Sequence, residues 1–231
     1  MEKLPNELGN IIKGYVLFKP KNKEELQNAI NEWVINKQTA INKYGHISNW
    51  NTSLITDMSD LITYYCDYNQ EYDEDFSNTI KKNFNDDISN WDVSNVTDME
   101  CMFYGCKNFN QNINNWNVSN VTNMYGMFWN ATSFNKPLNN WNVSNVKIMA
   151  HMFYDAYLFN QPLDNWNVSN VKDMTSMFNY ASSFNQNINN WNISNVEDSI
   201  GIFWNAEKFN LQNAKWVQKE KNVDEDSEYY F

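Results

Sequence analysis

Apolar residues recur along most of the chain with a period of 25 residues. Tryptophan occupies positions 91, 116, 141, 166, 191 and 216, and the same pattern follows each one. The unit reads W-N-V-S-N-V-x-x-M-x-x-M-F-x-x-A-x-x-F-N-Q, and an earlier copy begins at Trp50. A fixed period of roughly 20 to 50 residues is typical of stacked repeat architectures. We therefore predict a repeat solenoid of the leucine-rich-repeat kind.

Within each unit the pattern predicts two short elements. Residues 163–168 alternate apolar and polar and end on a β-branched valine, which favours a short parallel strand. The next segment has apolar residues at i, i+3, i+4 and i+7, namely Met174, Met177, Phe178 and Ala181. That spacing predicts one apolar helix face over residues 173–181. Each 25-residue coil should therefore contain a short parallel strand and a short helix.

The period also divides the chain into three parts. Residues 1–49 precede the repeats and are predicted to form a helical cap, and residues 50–216 form the array. Trp50 and Trp91 are 41 residues apart, so the first copy carries an insert at about residues 64–83. Residues 217–231 are acidic and are predicted to be a mobile tail.

Asparagine recurs at fixed places in the unit, and the chain contains 44 of them. One column comprises Asn95, Asn120, Asn145, Asn170 and Asn195. A second comprises Asn110, Asn135, Asn160, Asn185 and Asn210. Backbone groups in stacked turns need hydrogen-bond partners. We therefore expect both columns to bond the backbone of adjacent coils, the first from inside the turn.

Charge and composition restrict the classes of function. The net charge is −11, and all 17 basic residues are lysines. A nucleic-acid binder needs a basic stripe, and an acidic surface is repelled by anionic membranes. No apolar run is long enough to span a membrane, and the first residues do not resemble a signal peptide. These features predict a soluble, non-secreted protein that neither binds nucleic acid nor inserts into membranes.

Candidate catalytic groups are sparse. The two histidines, His46 and His151, have no recurring partner, and His151 fills a variable position expected at the surface. The three cysteines lack metal-binding spacing, and the glycines form no phosphate-binding loop. We therefore predict no enzyme activity, no metal, no cofactor and no small-molecule substrate.

The best candidate for function is a column of aromatic residues that directly follow the Met-Phe pair. It comprises Tyr104, Trp129, Tyr154 and Trp204, with Tyr180 offset by one position. Flanking positions vary between coils, whereas core positions repeat strictly. Large aromatics on an outer face are suited to anchoring a protein partner or a second copy. The alternative is that these rings only pack on one another.

The unit resembles the BspA-like bacterial-surface-protein repeats found in mycoplasmas, other bacteria, algae and giant viruses. The lead-in, from Lys23 through Trp33 to Tyr44 and Trp50, is similar to the segment that opens such arrays. The resemblance implies a leucine-rich-repeat-like fold and a non-catalytic binding role. For a viral member it implies the host cytoplasm or the virion as location.

Residues 4–15 are similar to the first helix of an F-box. Leu4, Pro5 and Leu8 are followed by Ile11, Ile12 and Tyr15. This similarity implies an alternative function, an adaptor that recruits a ubiquitin ligase while the repeats select its target. The other interpretation is an amphipathic capping helix with proline in its first turn.

Overall fold

Among the described residues, the regular secondary structure lies mainly before the repeats. The computed structural model of the chain describes residues 11–12, 15–63 and 81–217. Its elements are β1 (Ile11–Ile12), β2 (Tyr15–Val16), α1 (Lys23–Ile35), α2 (Lys37–Tyr44) and two 3-10 turns, Ile47–Asn49 and Leu211–Asn213. No helix in these ranges has the length and apolar character needed to cross a membrane.

Part of the N-terminal segment forms two short paired strands where a helix was predicted. β1 and β2 pair antiparallel, with Ile11 opposite Val16 and Ile12 opposite Tyr15. The helix predicted over residues 4–15 is therefore wrong at its C-terminal end, because residues 11–12 and 15–16 are extended and pair with each other. Its first residues, up to 10, lie outside the described ones. The adaptor hypothesis depended on that helix and is not carried further.

The two helices cover the start of the array. Each begins after an asparagine, Asn22 or Asn36, whose side chain accepts a bond from the backbone N–H three residues later. Such N-caps satisfy donors that a helix leaves unpaired. The buried face of α1 includes Trp33, whose ring packs edge-on against Trp50 with centroids 5.9 Å apart. The apolar face of α1 thus continues the core of the first repeat.

The segment predicted as a helix, residues 173–181, is a run of tight turns. Alternate N–H groups donate to the next repeat, as Met174 does at 2.8 Å. Met177 instead donates back to Met174 at 3.1 Å, which closes a turn. Ser176 and Tyr180 have φ angles of 50° and 55°, which a right-handed helix excludes. The helix prediction is therefore wrong, because consecutive turns produce the same apolar spacing.

The strand predicted over residues 163–168 is also replaced by a turn. Trp166 donates its backbone N–H to Leu163 at 3.0 Å, so this segment bends within its own repeat. Successive repeats pair farther along, through single parallel bridges that join Asp57, Asp98, Asn123, Ile148, Asp173 and Asp198 in order. The residue that forms the bridge therefore lies seven positions after the tryptophan that opens each repeat.

Buried rings stack from repeat to repeat. Trp141 and Trp166 lie parallel with centroids 6.5 Å apart, and Phe128 and Phe153 stack at 5.5 Å. Trp166 also donates its indole N–H to the carbonyl of Leu138 at 3.0 Å. Rings that are strictly repeated in the sequence therefore bury one another across the interfaces between repeats, as the period predicts.

Both asparagine columns bond between repeats. In the first column, Asn120, Asn145, Asn170 and Asn195 each donate from Nδ2 to a serine carbonyl one repeat earlier at 2.7 Å. These side chains are exposed rather than inside the turn, so that part of the prediction is wrong. In the second column Oδ1 of Asn135 accepts the backbone N–H of Asn160 at 3.0 Å.

Candidate aromatic interaction face

Two left-handed backbone positions bracket the aromatic column in each repeat. The first is filled by Cys101, Gly126, His151, Ser176 and Gly201, and the second by Gly105, Asn130, Asp155, Tyr180 and Asn205. Glycine, asparagine and aspartate tolerate positive φ better than other residues. In four repeats the aromatic residue directly precedes the second position. The tight turn therefore presents its ring in the same place each time.

We call Tyr104, Trp129, Tyr154, Tyr180 and Trp204 the aromatic face. Ring centroids of the first four follow one another at 5.2, 4.8 and 5.9 Å, each pair inclined between 40° and 58°. Trp204 lies over Gly201 in the last repeat, where an added Cβ would come within 2.9 Å of the indole. The face thus runs along four of the repeats as a continuous aromatic edge and ends at Trp204.

One repeat reverses the order of aromatic and polar residue. Four repeats read Tyr104-Gly105, Trp129-Asn130, Tyr154-Asp155 and Trp204-Asn205, whereas the fifth reads Asn179-Tyr180. Asn179 is consequently 6% exposed, and its Oδ1 atom has no hydrogen-bond partner. Tyr180 takes the left-handed position, with φ of 55°. Both consequences are unfavourable for folding.

The reversal also changes what solvent can reach. Tyr180 and Trp204 are 45% and 48% exposed. Tyr104, Trp129 and Tyr154 are less exposed, because neighbouring rings cover part of each side chain. The most accessible rings therefore lie toward the C-terminal end of the aromatic face.

Two residues that sequence reasoning did not place here belong to the same cluster. His151 stacks on Trp129, with centroids 4.8 Å apart and planes inclined by 15°. Tyr125 meets His151 at 5.3 Å. His151 is therefore partly buried between aromatics rather than at an open surface position. The sequence did contain a signal for His151, because it precedes the aromatic residue Tyr154 of its repeat by three positions, as Gly126 precedes Trp129.

An exposed apolar pair, Tyr157 and Leu158, follows Tyr154 in the same repeat. These residues are 48% and 50% exposed. Corresponding positions in the other full repeats are polar, namely Lys107-Asn108, Thr132-Ser133, Ser182-Ser183 and Glu207-Lys208. The break in a polar column was visible in the sequence and adds apolar surface to this repeat.

Burial shifts the pKa values of three groups beside the aromatic face. It lowers the pKa of His151, although the carboxylate of Asp173 acts in the opposite direction. It raises the pKa of Asp155, with Lys107 opposing, and raises the pKa of Tyr125. In all three cases burial disfavours the charged form relative to the same group in water. These side chains are therefore partly shielded from solvent.

Metal-ligating groups are not clustered in the described ranges. Across residues 11–12, 15–63 and 81–217, no set of three or more His, Cys, Asp or Glu side chains is placed to hold a metal ion. Cys106 is buried, its Sγ contacts the carbonyl oxygen of Ile62 at 2.8 Å, and burial raises the pKa of its thiol. This cysteine therefore acts as a small core residue.

Comparison with known proteins places the repeats in a family. The family model described as "Mycoplasma protein of unknown function, DUF285" matches residues 18–78, 74–162 and 136–231. The chain belongs to this family. The family is related to the BspA-like repeat proteins that the unit resembles. No curated protein and no solved structure matches the chain.

Proposed function

We propose that this DUF285 protein is a non-catalytic interaction protein whose aromatic face binds a protein partner or a second copy. The exposure of Tyr180 and Trp204, at 45% and 48%, carries the proposal. Tryptophan and tyrosine are enriched among residues that dominate binding energy, because they bury a large rigid surface. Their position on a repeating edge gives a partner several anchors in a row.

The reversed pair Asn179-Tyr180 supports the same proposal. Placing tyrosine in a left-handed position and leaving a buried amide oxygen unpaired both oppose folding. The order found in the other four repeats would avoid both costs. Unfavourable local geometry of this kind is concentrated at functional sites, where it positions a side chain. In this repeat its effect is to turn a tyrosine ring outward.

The chemistry of the partner surface follows from the face. Exposed aromatic rings, Tyr180 and Trp204, lie on the face, and Tyr157 and Leu158 add apolar area beside it. A complementary surface should therefore be apolar or aromatic with few charges. The net charge of −11 further disfavours acidic partners and nucleic acid.

Replacing the two exposed rings tests this proposal. The double variant Tyr180→Ser, Trp204→Ser should keep its fold and lose association by at least tenfold in affinity. The matched control is Ile35→Ser, Ile41→Ser, which removes exposed apolar side chains from the two cap helices instead. Sedimentation velocity over a range of concentrations measures self-association, and quantitative co-purification from the producing cell measures partner binding. Equal association of both variants and the parent would rule out the aromatic face as the binding surface.

A further inference from the structure

An asparagine directly precedes the tryptophan that opens each full repeat. The five members of this column are all exposed, namely Asn90, Asn115, Asn140, Asn165 and Asn190. A largely exposed position six residues after the tryptophan varies instead, as Thr97, Thr122, Lys147, Lys172 and Glu197. The repetition of asparagine therefore has a cause other than burial.

The backbone does not require asparagine at this position. The column lies within a tight turn, in which Trp116 donates its N–H to the carbonyl of Ile113 at 3.1 Å. None of the five asparagines has a left-handed φ, and turns of this kind accept most residue types. In the described ranges the column makes one side-chain hydrogen bond, from Asn190 to the carbonyl of Asp164 at 2.5 Å. Folding therefore does not account for the repetition.

Two further exposed asparagine columns lie beside this one, with amides held in fixed orientations. One residue after the tryptophan, Oδ1 of Asn117 accepts the N–H of Ser119 at 3.2 Å, which leaves Nδ2 to donate outward. Four residues after the tryptophan, Asn120 uses Nδ2 to bond the previous repeat, which leaves Oδ1 to accept. We call these three columns, in the repeats that open at Trp116, Trp141 and Trp166, the amide strip.

The amide strip is nearly straight and has grooves between its rows. Trp141, Trp166 and Trp191 follow one another at centroid distances of 6.5 Å, with planes inclined by 1° and 4°. This spacing exceeds the roughly 4.8 Å between paired strands. Between the first two rows lies a cavity of about 310 Å³, lined mainly by Asn114, Asn115, Trp116, Asn117, Asn140 and Asn142. Small polar groups can therefore enter between successive rows.

The chemistry of the amide strip matches a neutral ligand that is rich in hydroxyl groups. The strip has no charged side chain and no large exposed apolar residue, whereas protein interfaces have an apolar centre. A hydroxyl group both donates and accepts, so it can bond the fixed donors and the fixed acceptors alike. One neutral hydrogen bond adds little affinity in water, so the ligand must repeat its hydroxyl groups along the stack.

We propose that the amide strip binds an extended, neutral polysaccharide with a β-1,4-linked backbone, whose hydroxyl groups enter the grooves between rows. A β-1,4 linkage keeps the polymer straight, as the strip is, and leaves hydroxyl groups along both of its edges. The strip lies in a different part of each repeat from the aromatic face. This proposal therefore does not depend on the function proposed for that face.

Affinity electrophoresis of the full chain in native gels that contain a soluble polysaccharide tests the proposal. Hydroxyethylcellulose and galactomannan are neutral and have β-1,4-linked backbones, so both should retard the protein. Carboxymethylcellulose has the same backbone as hydroxyethylcellulose but is anionic. Its affinity should be at least tenfold lower, because the chain has a net charge of −11 and the strip offers no cation. In isothermal titration, cellohexaose should bind at least tenfold more tightly than cellobiose, because it spans more rows.

Substitutions locate the binding surface. Asn115→Ala, Asn140→Ala, Asn165→Ala should keep the melting temperature of the parent and reduce the affinity for hydroxyethylcellulose at least tenfold. The matched control, Thr122→Ala, Lys147→Ala, Lys172→Ala, changes the same three repeats outside the strip and should bind as the parent does. Tyr180→Ser, Trp204→Ser should also bind polysaccharide normally, which separates this proposal from the one on the aromatic face.

Three results would overturn the proposal. One is a parent chain that neither hydroxyethylcellulose nor galactomannan retards. Another is equal retardation of the asparagine variant and its control. The third is an asparagine variant that loses only self-association in sedimentation velocity, since a second copy would then occupy the strip.

Discussion

Single positions in this repeat are governed by backbone conformation as much as by burial. The second left-handed position takes Gly, Asn or Asp in four repeats, which are the residue types that tolerate positive φ. Tyr180 departs from that rule, and its neighbour Asn179 is the only residue of the aromatic column that is not aromatic. The repeat therefore contains a local conflict that its neighbours avoid.

Exchanging the two residues should remove that conflict. In the variant Asn179→Tyr, Tyr180→Asn, asparagine takes the left-handed position and a ring takes the place of the amide between Tyr154 and Trp204 in the aromatic face. We expect the free energy of unfolding to rise by about 1–3 kcal/mol, the usual cost of an unpaired buried polar group or a left-handed bulky residue. Urea unfolding monitored by circular dichroism measures it.

The same variant separates stability from binding. If Tyr180 is an anchor of the aromatic face, the stabilised protein should associate more weakly than the parent. The single variant Tyr180→Asn serves as the comparison, since it relieves the backbone but leaves Asn179 buried. A variant no more stable than the parent would show that the Asn179-Tyr180 order carries no folding cost.

Contacts between repeats are the elements that hold the array together. The period, the stacked rings and the bonding asparagine columns could all be predicted, because each depends only on residue identity at a fixed spacing. The helix could not, since Met174, Met177, Phe178 and Ala181 have the same spacing in a helix and in successive tight turns. The sequence contained a signal that distinguishes the two structures, namely Gly105, Gly126 and Gly201. These glycines occupy left-handed positions that tight turns need and a helix does not.

The candidate face was less predictable from sequence than the core. The varied aromatic column could be recognised, but ring contacts with Tyr125 and His151 depend on how the turns orient the side chains. The row of backbone N–H groups at Ser199, Gly201, Phe203 and Asn205, which meet no acceptor among the described residues, could not be anticipated at all. The N–H groups of each repeat donate to carbonyl groups of the following repeat, so those of the last repeat meet none in the described ranges. This can be recognised only when the direction of each N–H group is known.

The second asparagine column makes a prediction at this scale. Oδ1 of Asn135 accepts from the backbone N–H of Asn160 at 3.0 Å and from Gln161 at 2.9 Å. Asn135→Ala should therefore lower the free energy of unfolding by about 1–2 kcal/mol, because both donors lose their acceptor. The matched control is Asn139→Ala, whose side chain has a single long bond of 3.4 Å. Equal losses in thermal or urea unfolding would contradict a role for this column in stability.

At the scale of the whole molecule, we propose that the stacked repeats form a solenoid in which each repeat is stabilised chiefly by its two neighbours. Rings, backbone bridges and asparagine columns all join residues about 25 positions apart. Stability is then close to a sum of repeat and interface contributions. The α1 helix covers the first repeat of this stack, where Gln27 donates to the carbonyl oxygen of Leu61 at 2.9 Å.

A solenoid of this kind should tolerate removal of one whole repeat. Deleting residues 142–166 joins Trp141 to Asn167 and restores the same W-N-V-S-N-V sequence at the junction. Every ring and asparagine column then meets an equivalent partner, so the shortened chain should fold cooperatively with a moderately lower melting temperature. Deleting residues 142–154 instead places unlike positions opposite one another and should abolish cooperative melting. If the 25-residue deletion unfolds the chain as completely as the 13-residue one, the repeats are not interchangeable units.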